Sequence, residues 1–175
     1  MNATVELNKE FSLVVDYTKT IGEVIANGQY DWVNRDTYSI NSSNLSETVK
    51  IIEINTKLFH FDSSIYADKV KCKMHMSGYR PATLIELLIL DTSHPELYIL
   101  FREVNKLDGA CLVINALGSE LIGSRRTAVP HLLVGSGKRM LGMSQTSDSS
   151  YDRDGVVNWE EQLFRADNYF LGVLE

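Results

Sequence analysis

Positively charged residues and cysteines are scarce in this chain of 175 residues. Lys and Arg number 17 against 23 Asp and Glu, so the formal net charge is -6. This balance argues against nucleic acid as a partner, because such interfaces need a cationic surface. Lys69, Lys71 and Lys73 form one local basic cluster, and Arg125 and Arg126 form a second. We interpret both clusters as solvated faces.

Long apolar runs are also absent. No stretch approaches the roughly 18 apolar residues that a membrane span requires. The first residues, 1–6, lack the charged start and apolar core of a secretory signal. We therefore predict a cytoplasmic protein without a membrane partner. In that reducing compartment the two cysteines, Cys72 and Cys111, are interpreted as buried thiols.

Histidines are few and lack the spacing of a metal site, which argues against zinc. The four are His60, His75, His94 and His131. His131 follows Pro130 in a predicted strand, and no nucleophile or carboxylate stands beside it in sequence. We interpret it as a satisfied strand histidine and not as a general base.

The chain does hold enough apolar residues, 44%, for one globular domain over residues 1–175. Two capping boxes predict helix starts, because a Thr side chain and a Glu three residues later each satisfy a backbone N–H of the first turn. The pairs are Thr20 with Glu23 and Thr83 with Glu86. The first helix should end at Asn27-Gly28, with the glycine left-handed. The second, 84–90, is apolar nearly all round and should be buried.

The remaining pattern places helices mainly in the N-terminal half and strands mainly in the C-terminal half. Two further helices are predicted over 65–76, with N-caps from 62–64 and a stop at Gly78, and from Pro95 to about Glu103. Predicted strands cover 11–16, 49–61, 111–117, 129–134, 138–143 and 169–174, with polar connections at 41–44 and 145–154. This segregation predicts an α+β fold with a mixed or antiparallel sheet.

One aromatic segment, 29–34, follows the first helix directly. We expect it to lie across the core, with Trp32 as a core anchor, because aromatic side chains gain much free energy on burial.

Four segments in this order resemble small uncharacterised proteins that are common in metagenomic and ultra-small-bacterial genomes. They are 28–34 (GQYDWVN), 79–88 (YRPATLIELL), 116–119 (ALGS) and 169–173 (YFLGV). The resemblance covers about residues 10 to 175 and implies a bacterial source. It implies an architecture but no activity.

Residues 80–87, followed by a closing aromatic strand, also resemble the arginine, threonine and glutamate signature of formylglycine-generating-enzyme domains. That resemblance implies a C-type-lectin-like fold. It does not imply the chemistry, because those enzymes use a close pair of cysteines near the C-terminus, whereas Cys72 and Cys111 lie earlier and apart.

The acidic loop 150–161 resembles an EF-hand calcium loop. Asp152 and Asp154 fall at positions three and five, and Glu161 falls at the bidentate position twelve. Position one is Ser150, and no entering helix precedes it. We interpret the segment as an Asx-rich surface turn that leads to a short helix, with calcium or magnesium binding as the alternative.

Two other polar groups invite a functional interpretation. The segments 124–127 and 135–139 combine small residues with cations, but their spacing differs from that of a P-loop, so 135–139 is predicted as a hairpin turn. Asp31, Arg80, Glu86 and Arg102 can converge in space without any sequence signal that shows it.

The sequence contains no complete catalytic constellation, so we assign no catalytic, cofactor-binding or metal-binding residue and expect no cofactor. We predict a non-enzymatic module that binds a protein partner. One alternative is a calcium- or magnesium-dependent protein or enzyme that uses the loop 150–161. Another is a phage or mobile-element inhibitor of a host protein.

Overall fold

A computed structural model describes residues 9–40, 51–97, 111–122, 127–135, 137–145, 149–151, 157–159 and 163–175. For residues 122, 127, 145, 149–151 and 157–159 it describes the backbone alone.

The described residues form an α+β fold, as the sequence predicts. The helices are α1 (Ile21–Gly28), α2 (Ala67–Met76) and α3 (Leu84–Ser93), with a 3-10 helix at Arg35–Ser39. The strands are β1 (Glu10–Asp16), β2 (Trp32–Val33), β3 (Ile51–His60), β4 (Ile65–Tyr66), β5 (Tyr79–Pro81), β6 (Leu112–Asn115), β7 (Leu121–Ile122), β8 (Thr127–Gly135), β9 (Lys138–Gln145), β10 (Ser149–Tyr151), β11 (Val157–Trp159), β12 (Leu163–Phe164) and β13 (Asn168–Leu174). None of the described helices is long and apolar enough to cross a membrane.

Nine of the described strands form one mixed sheet in the order β1-β3-β13-β6-β8-β9-β2, with β5 paired to β13 and β7 paired to β8. The pairs β13–β6 and β2–β9 are parallel, and the other pairs are antiparallel. The C-terminal strand β13 therefore lies in the middle of the sheet, between β3 and β6. Two smaller antiparallel pairs, β10–β11 and β4–β12, lie outside this sheet.

The core has two parts because neighbouring residues of a strand point to opposite faces of the sheet. In β13, Leu171 joins the large cluster that includes residues of α1 and α3, whereas Phe170 joins a second cluster with Val70 and Met74 of α2. Helix α3 is buried on most sides, as its apolar sequence predicts. Helices thus cover both faces of the central strands.

The capping box of α1 is confirmed by both of its hydrogen bonds, and at α3 the Thr83 N–H donates to Glu86 while Thr83 Oγ1 has no hydrogen-bond partner among the described residues; α1 also ends differently from the prediction. The left-handed residue is Gln29, with φ 51°, and not Gly28. Gly28 is the last residue of α1, and the ring of Tyr30 packs against it, where a β-carbon would collide with the ring. Its lack of a side chain therefore serves a close approach and not a turn.

Helix α2 begins later than predicted, because residues 65 and 66 form strand β4 and pair with β12. Its N-cap is Tyr66, which makes no side-chain cap hydrogen bond, so the predicted caps at 62–64 are wrong. The stop at Gly78 is confirmed by its φ of 82°. The predicted polar loop 145–154 is partly wrong too, because Ser149–Tyr151 is strand β10.

Three burial predictions are wrong. Trp32 is 52% exposed, because β2 is an edge strand whose core-facing residue is Val33. Cys72 is exposed because the buried positions of α2 are Val70 and Met74, one helical turn apart, which places residue 72 on the outer side. Cys111, which directly precedes β6, is exposed as well.

The basic cluster on α2 is largely the solvated face that the sequence predicts. Lys69 and Lys73 are exposed, and Lys71 forms an ion pair with Glu120. Predictions that lie outside the described residues concern 41–44, the helix beyond residue 97 with Arg102, the pair Arg125 and Arg126, and Asp152, Asp154 and Glu161 of the acidic loop.

Candidate functional site

Each end of α3 carries a carboxylate that is bound by an arginine and a tyrosine. At the N-terminal end is the Glu86 cluster, formed by Glu86, Arg80 and Tyr17. Arg80 donates to the two carboxylate oxygens at 3.1 and 2.6 Å, and the Tyr17 hydroxyl donates at 2.5 Å. The backbone N–H of Thr83 donates at 2.6 Å, which is the Glu86 half of the capping box.

Electrostatics of the Glu86 cluster keep the buried carboxylate charged. Burial alone would raise the pKa of Glu86, but the hydrogen bonds and charge of Arg80 outweigh it and hold that pKa below its usual range. Burial, reinforced by the neighbouring carboxylate, raises the pKa of Tyr17. Glu86 accepts four hydrogen bonds in all, so its acceptor capacity is used by the fold itself.

At the C-terminal end of α3 is the Asp91 cluster, formed by Asp91, Arg139 and Tyr30. The Arg139 guanidinium forms an ion pair with Asp91, and the Tyr30 hydroxyl donates to the same oxygen at 2.8 Å. The guanidinium carbon also lies 5.1 Å from the centre of the Tyr30 ring, within cation–π range. Arg139 further donates to the Gly28 carbonyl at 2.9 Å. The Asp91 cluster therefore joins α1, α3 and β9.

The polar residues that we named in the sequence as able to converge are distributed between these two clusters. Arg80 and Glu86 meet in the first cluster. Asp31 instead lies beside the second, where its carboxylate accepts from the Arg139 backbone N–H at 2.8 Å. Asp31 and Arg80 therefore belong to different clusters and do not form one site.

A cavity of about 160 Å³ lies against the Asp91 cluster, between the end of α3 and strands β6, β8 and β9. Seven of its ten described lining residues are apolar, and the other three are Asp91, His94 and Arg139. The apolar lining consists of Leu90, Pro95, Leu97, Leu112, Ile114, Leu132 and Val134. No sequence signal indicates this cavity or Asp91, and Arg139 belongs to the segment 135–139, which the sequence predicts as a hairpin turn.

His94 is the other polar group at the cavity. Its Nδ1 lies 2.8 Å from the Glu96 carboxylate. Its Nε2 is buried and has no hydrogen-bond partner within the described part of the chain. Buried polar atoms normally have a hydrogen-bond partner. The unpartnered Nε2 therefore indicates a further interaction of His94 that the described contacts do not include.

His131 lies on β8, and its Nδ1 is 2.8 Å from the hydroxyl of Ser144 on β9. The interpretation as a satisfied strand histidine is confirmed, and its partner is a serine that sequence proximity did not reveal. Burial lowers the pKa of His131, which favours the neutral imidazole. Its ring covers Gly142 on the neighbouring strand, where a β-carbon would collide with it. The pair thus ties together two adjacent strands.

Two exposed aromatic residues, Trp32 and Tyr38, belong to elements that contact β9 at the end of the sheet, and we call these two residues the aromatic edge. The two side chains are 52% and 54% exposed. Trp32 lies on β2, beside Met140 of β9, and Tyr38 lies in the 3-10 helix that follows. Among the side chains that the structure describes, no group of three or more His, Cys, Asp or Glu is placed to hold a metal ion.

No family model, curated protein or solved structure matches this chain. The resemblance to small uncharacterised proteins and the C-type-lectin-like fold therefore stay predictions from the sequence.

Proposed function

We propose that this chain is a non-enzymatic binding module that contacts a protein partner through the aromatic edge, Trp32 and Tyr38. The observation that carries the proposal is the exposure of Trp32 on the edge strand β2 and of Tyr38 in the 3-10 helix that follows. Trp and Tyr are enriched among the residues that supply most of the free energy of protein–protein binding. Each presents a large contact area with only two side-chain torsions to fix.

The backbone beneath the aromatic edge is held firmly, which supports the proposal. The Asp31 N–H donates to the Arg139 carbonyl at 2.9 Å, and the Asn34 N–H donates to the Leu141 carbonyl at 2.8 Å. The Asn34 side chain in turn accepts from the Asp36 N–H at 2.9 Å and caps the 3-10 helix. A pre-organised surface loses less conformational entropy when a partner binds.

Position in the sheet gives this surface a second means of recognition. Within the described strands β2 pairs with β9 alone, so its other side is a sheet edge. Edge strands offer backbone groups to an added strand of a partner protein. We propose β-strand addition beside Trp32 as the mode of contact.

The buried carboxylates already accept hydrogen bonds from within the fold, and this favours a binding function over acid–base chemistry. Glu86 accepts four hydrogen bonds, and Asp91 accepts from both Arg139 and Tyr30. Groups committed in this way stabilise the fold. We also propose a cytoplasmic location, on the composition of the sequence, and a bacterial source, on the sequence resemblance.

The test compares two exposed aromatic residues on different strands. Trp32→Ala removes the larger side chain of the aromatic edge. Tyr66→Ala, on β4, is the matched control because Tyr66 is also an exposed aromatic residue, at 44%. Immobilised wild-type and variant proteins are incubated with bacterial lysate, cross-linked and compared by quantitative mass spectrometry. We expect a protein that wild type and Tyr66→Ala retain and that Trp32→Ala loses. Equal capture by all three proteins, or no enriched protein, would contradict the proposal.

A further inference from the structure

We infer that the cavity between α3 and strands β6, β8 and β9 is a binding site for a small aromatic alcohol, a single ring that carries one hydroxyl group. The site is separate from the aromatic edge and does not depend on the proposed protein partner. The size of the cavity, the polarity of its wall and the hydrogen-bonding state of His94 each narrow the ligand class.

Size restricts the ligand to about one ring. The cavity measures about 160 Å³. Apolar cavities of roughly 150 Å³ in protein cores bind benzene, so a single six-membered ring fits this volume.

The composition of the wall selects an apolar ligand body. Leu112, Ile114 and Leu132 come from the sheet, and Leu90 and Leu97 close the other side, all of them buried. Arg139 borders the same space, and a guanidinium attracts the face of an aromatic ring. An aromatic ring therefore suits the wall better than an aliphatic ring of equal size.

His94 specifies the polar group. The Glu96 carboxylate is an acceptor, so the nearby Nδ1 of His94 carries the proton. In the neutral imidazole this tautomer leaves the buried Nε2 as an acceptor, and no described group donates to it. A ligand that satisfies this nitrogen must bring a donor. A phenolic hydroxyl supplies one donor on a flat apolar ring.

The experiment uses phenol as the probe, with benzene and cyclohexanol as comparison ligands. Methyl groups of the intact protein are followed by NMR during titration. We expect phenol to shift the methyl signals of Leu90, Leu112 and Leu132, while those of Leu58, a core residue that does not line the cavity, stay in place. Benzene lacks the donor and cyclohexanol lacks the aromatic face, so both should bind more weakly than phenol.

Two kinds of variant test the assignment. His94→Phe keeps a ring beside Phe11 but removes the acceptor, so phenol affinity should fall by about tenfold, the equivalent of one hydrogen bond, while benzene affinity is unchanged. Leu132→Phe fills the cavity and should abolish binding of all three ligands. Val134→Leu adds only one methylene to the cavity wall and replaces Leu132→Phe in the test if the larger change prevents folding. It should weaken the binding of all three ligands. Equal phenol affinity in wild type and His94→Phe, or equal shifts at Leu58 and the lining methyls, would overturn the inference.

Discussion

The two ends of α3 carry the same three kinds of side chain in different structural roles. The ion pair of the Glu86 cluster is local in sequence, because Arg80 and Glu86 are six residues apart, and Tyr17 is the member that comes from a distant segment. The Asp91 cluster is assembled over long range, with Asp91 and Arg139 separated by 48 residues. Glu86 is fully buried, whereas the Asp91 side chain is 11% exposed and borders a cavity.

The helix dipole explains why the arginine has a different role at each carboxylate. Glu86 lies in the first turn of α3, where a negative charge is favourable, so this cluster reinforces the start of the helix. Asp91 lies near the C-terminal end, where a negative charge is unfavourable and Arg139 must compensate it. The ion pair of the first cluster therefore stabilises the start of a helix, whereas the ion pair of the second fixes the relative positions of α3 and β9. Both candidate binding surfaces, the aromatic edge and the cavity, lie beside the second cluster.

The largest expected effect is that of Arg80→Met. This change leaves the fully buried Glu86 charge without its cation, which typically costs about 3–5 kcal/mol of unfolding free energy. Urea denaturation at pH 7 measures it. Glu86→Gln is the matched control and should cost less, because it leaves Arg80 partly in contact with water. A smaller loss for Arg80→Met than for Glu86→Gln would show that the pair does not determine the stability of this end.

A smaller loss, about 2 kcal/mol, is expected for Arg139→Met, since Asp91 keeps some access to water. The unpaired charge would also face the unfavourable end of the helix dipole. Adding Asp91→Asn to this variant should restore part of the stability, and a double-mutant cycle by urea denaturation measures the coupling. If Asp91→Asn lowers the unfolding free energy of the Arg139→Met variant by as much as it lowers that of wild type, the two residues are energetically independent. The proposed difference between the two helix ends would then be wrong.

This contrast also explains what could be predicted from the sequence. The capping boxes, the long strand β3 and the hairpin β8–β9 depend on residues close together in the chain, and their signals are local. The α+β class followed from these elements. Glu86 belongs to one such signal, the capping box with Thr83, and Arg80 stands three residues before that threonine.

The Asp91 cluster could not be predicted in the same way. Arg139 lies in a strand and Asp91 lies near a helix end. The sequence around each residue contains no signal that predicts the other as its partner. The exposure of Trp32 was also missed, because whether an aromatic residue is buried depends on its strand's place in the sheet. An edge position is a property of the topology, which a single sequence does not encode locally.

Acid should weaken the Glu86 cluster over a defined range of pH. The pKa of folded Glu86 lies below its value in the unfolded chain, which is about 4.3. The unfolded state therefore binds more protons in this range, so the contribution of Glu86 is complete above that value and is lost as pH falls through the folded pKa. In urea denaturation from pH 7 to pH 3, the stability difference between wild type and Glu86→Gln should shrink. A difference that stays constant down to pH 3 would refute this assignment.

The smallest expected effects are those of the two tyrosine hydroxyls, and they compare the helix ends most closely. Tyr17→Phe and Tyr30→Phe each remove one donor from a carboxylate and leave the aromatic ring in place. Hydrogen bonds to charged groups contribute about 1.5–3 kcal/mol, and less where water can replace the lost donor. We expect about 1.5 kcal/mol for Tyr17→Phe, because no water reaches Glu86, and about 1 kcal/mol or less for Tyr30→Phe. Urea denaturation of both variants measures the difference. If Tyr30→Phe costs more, the long-range cluster is the more tightly closed of the two, and the partial exposure of Asp91 does not weaken it.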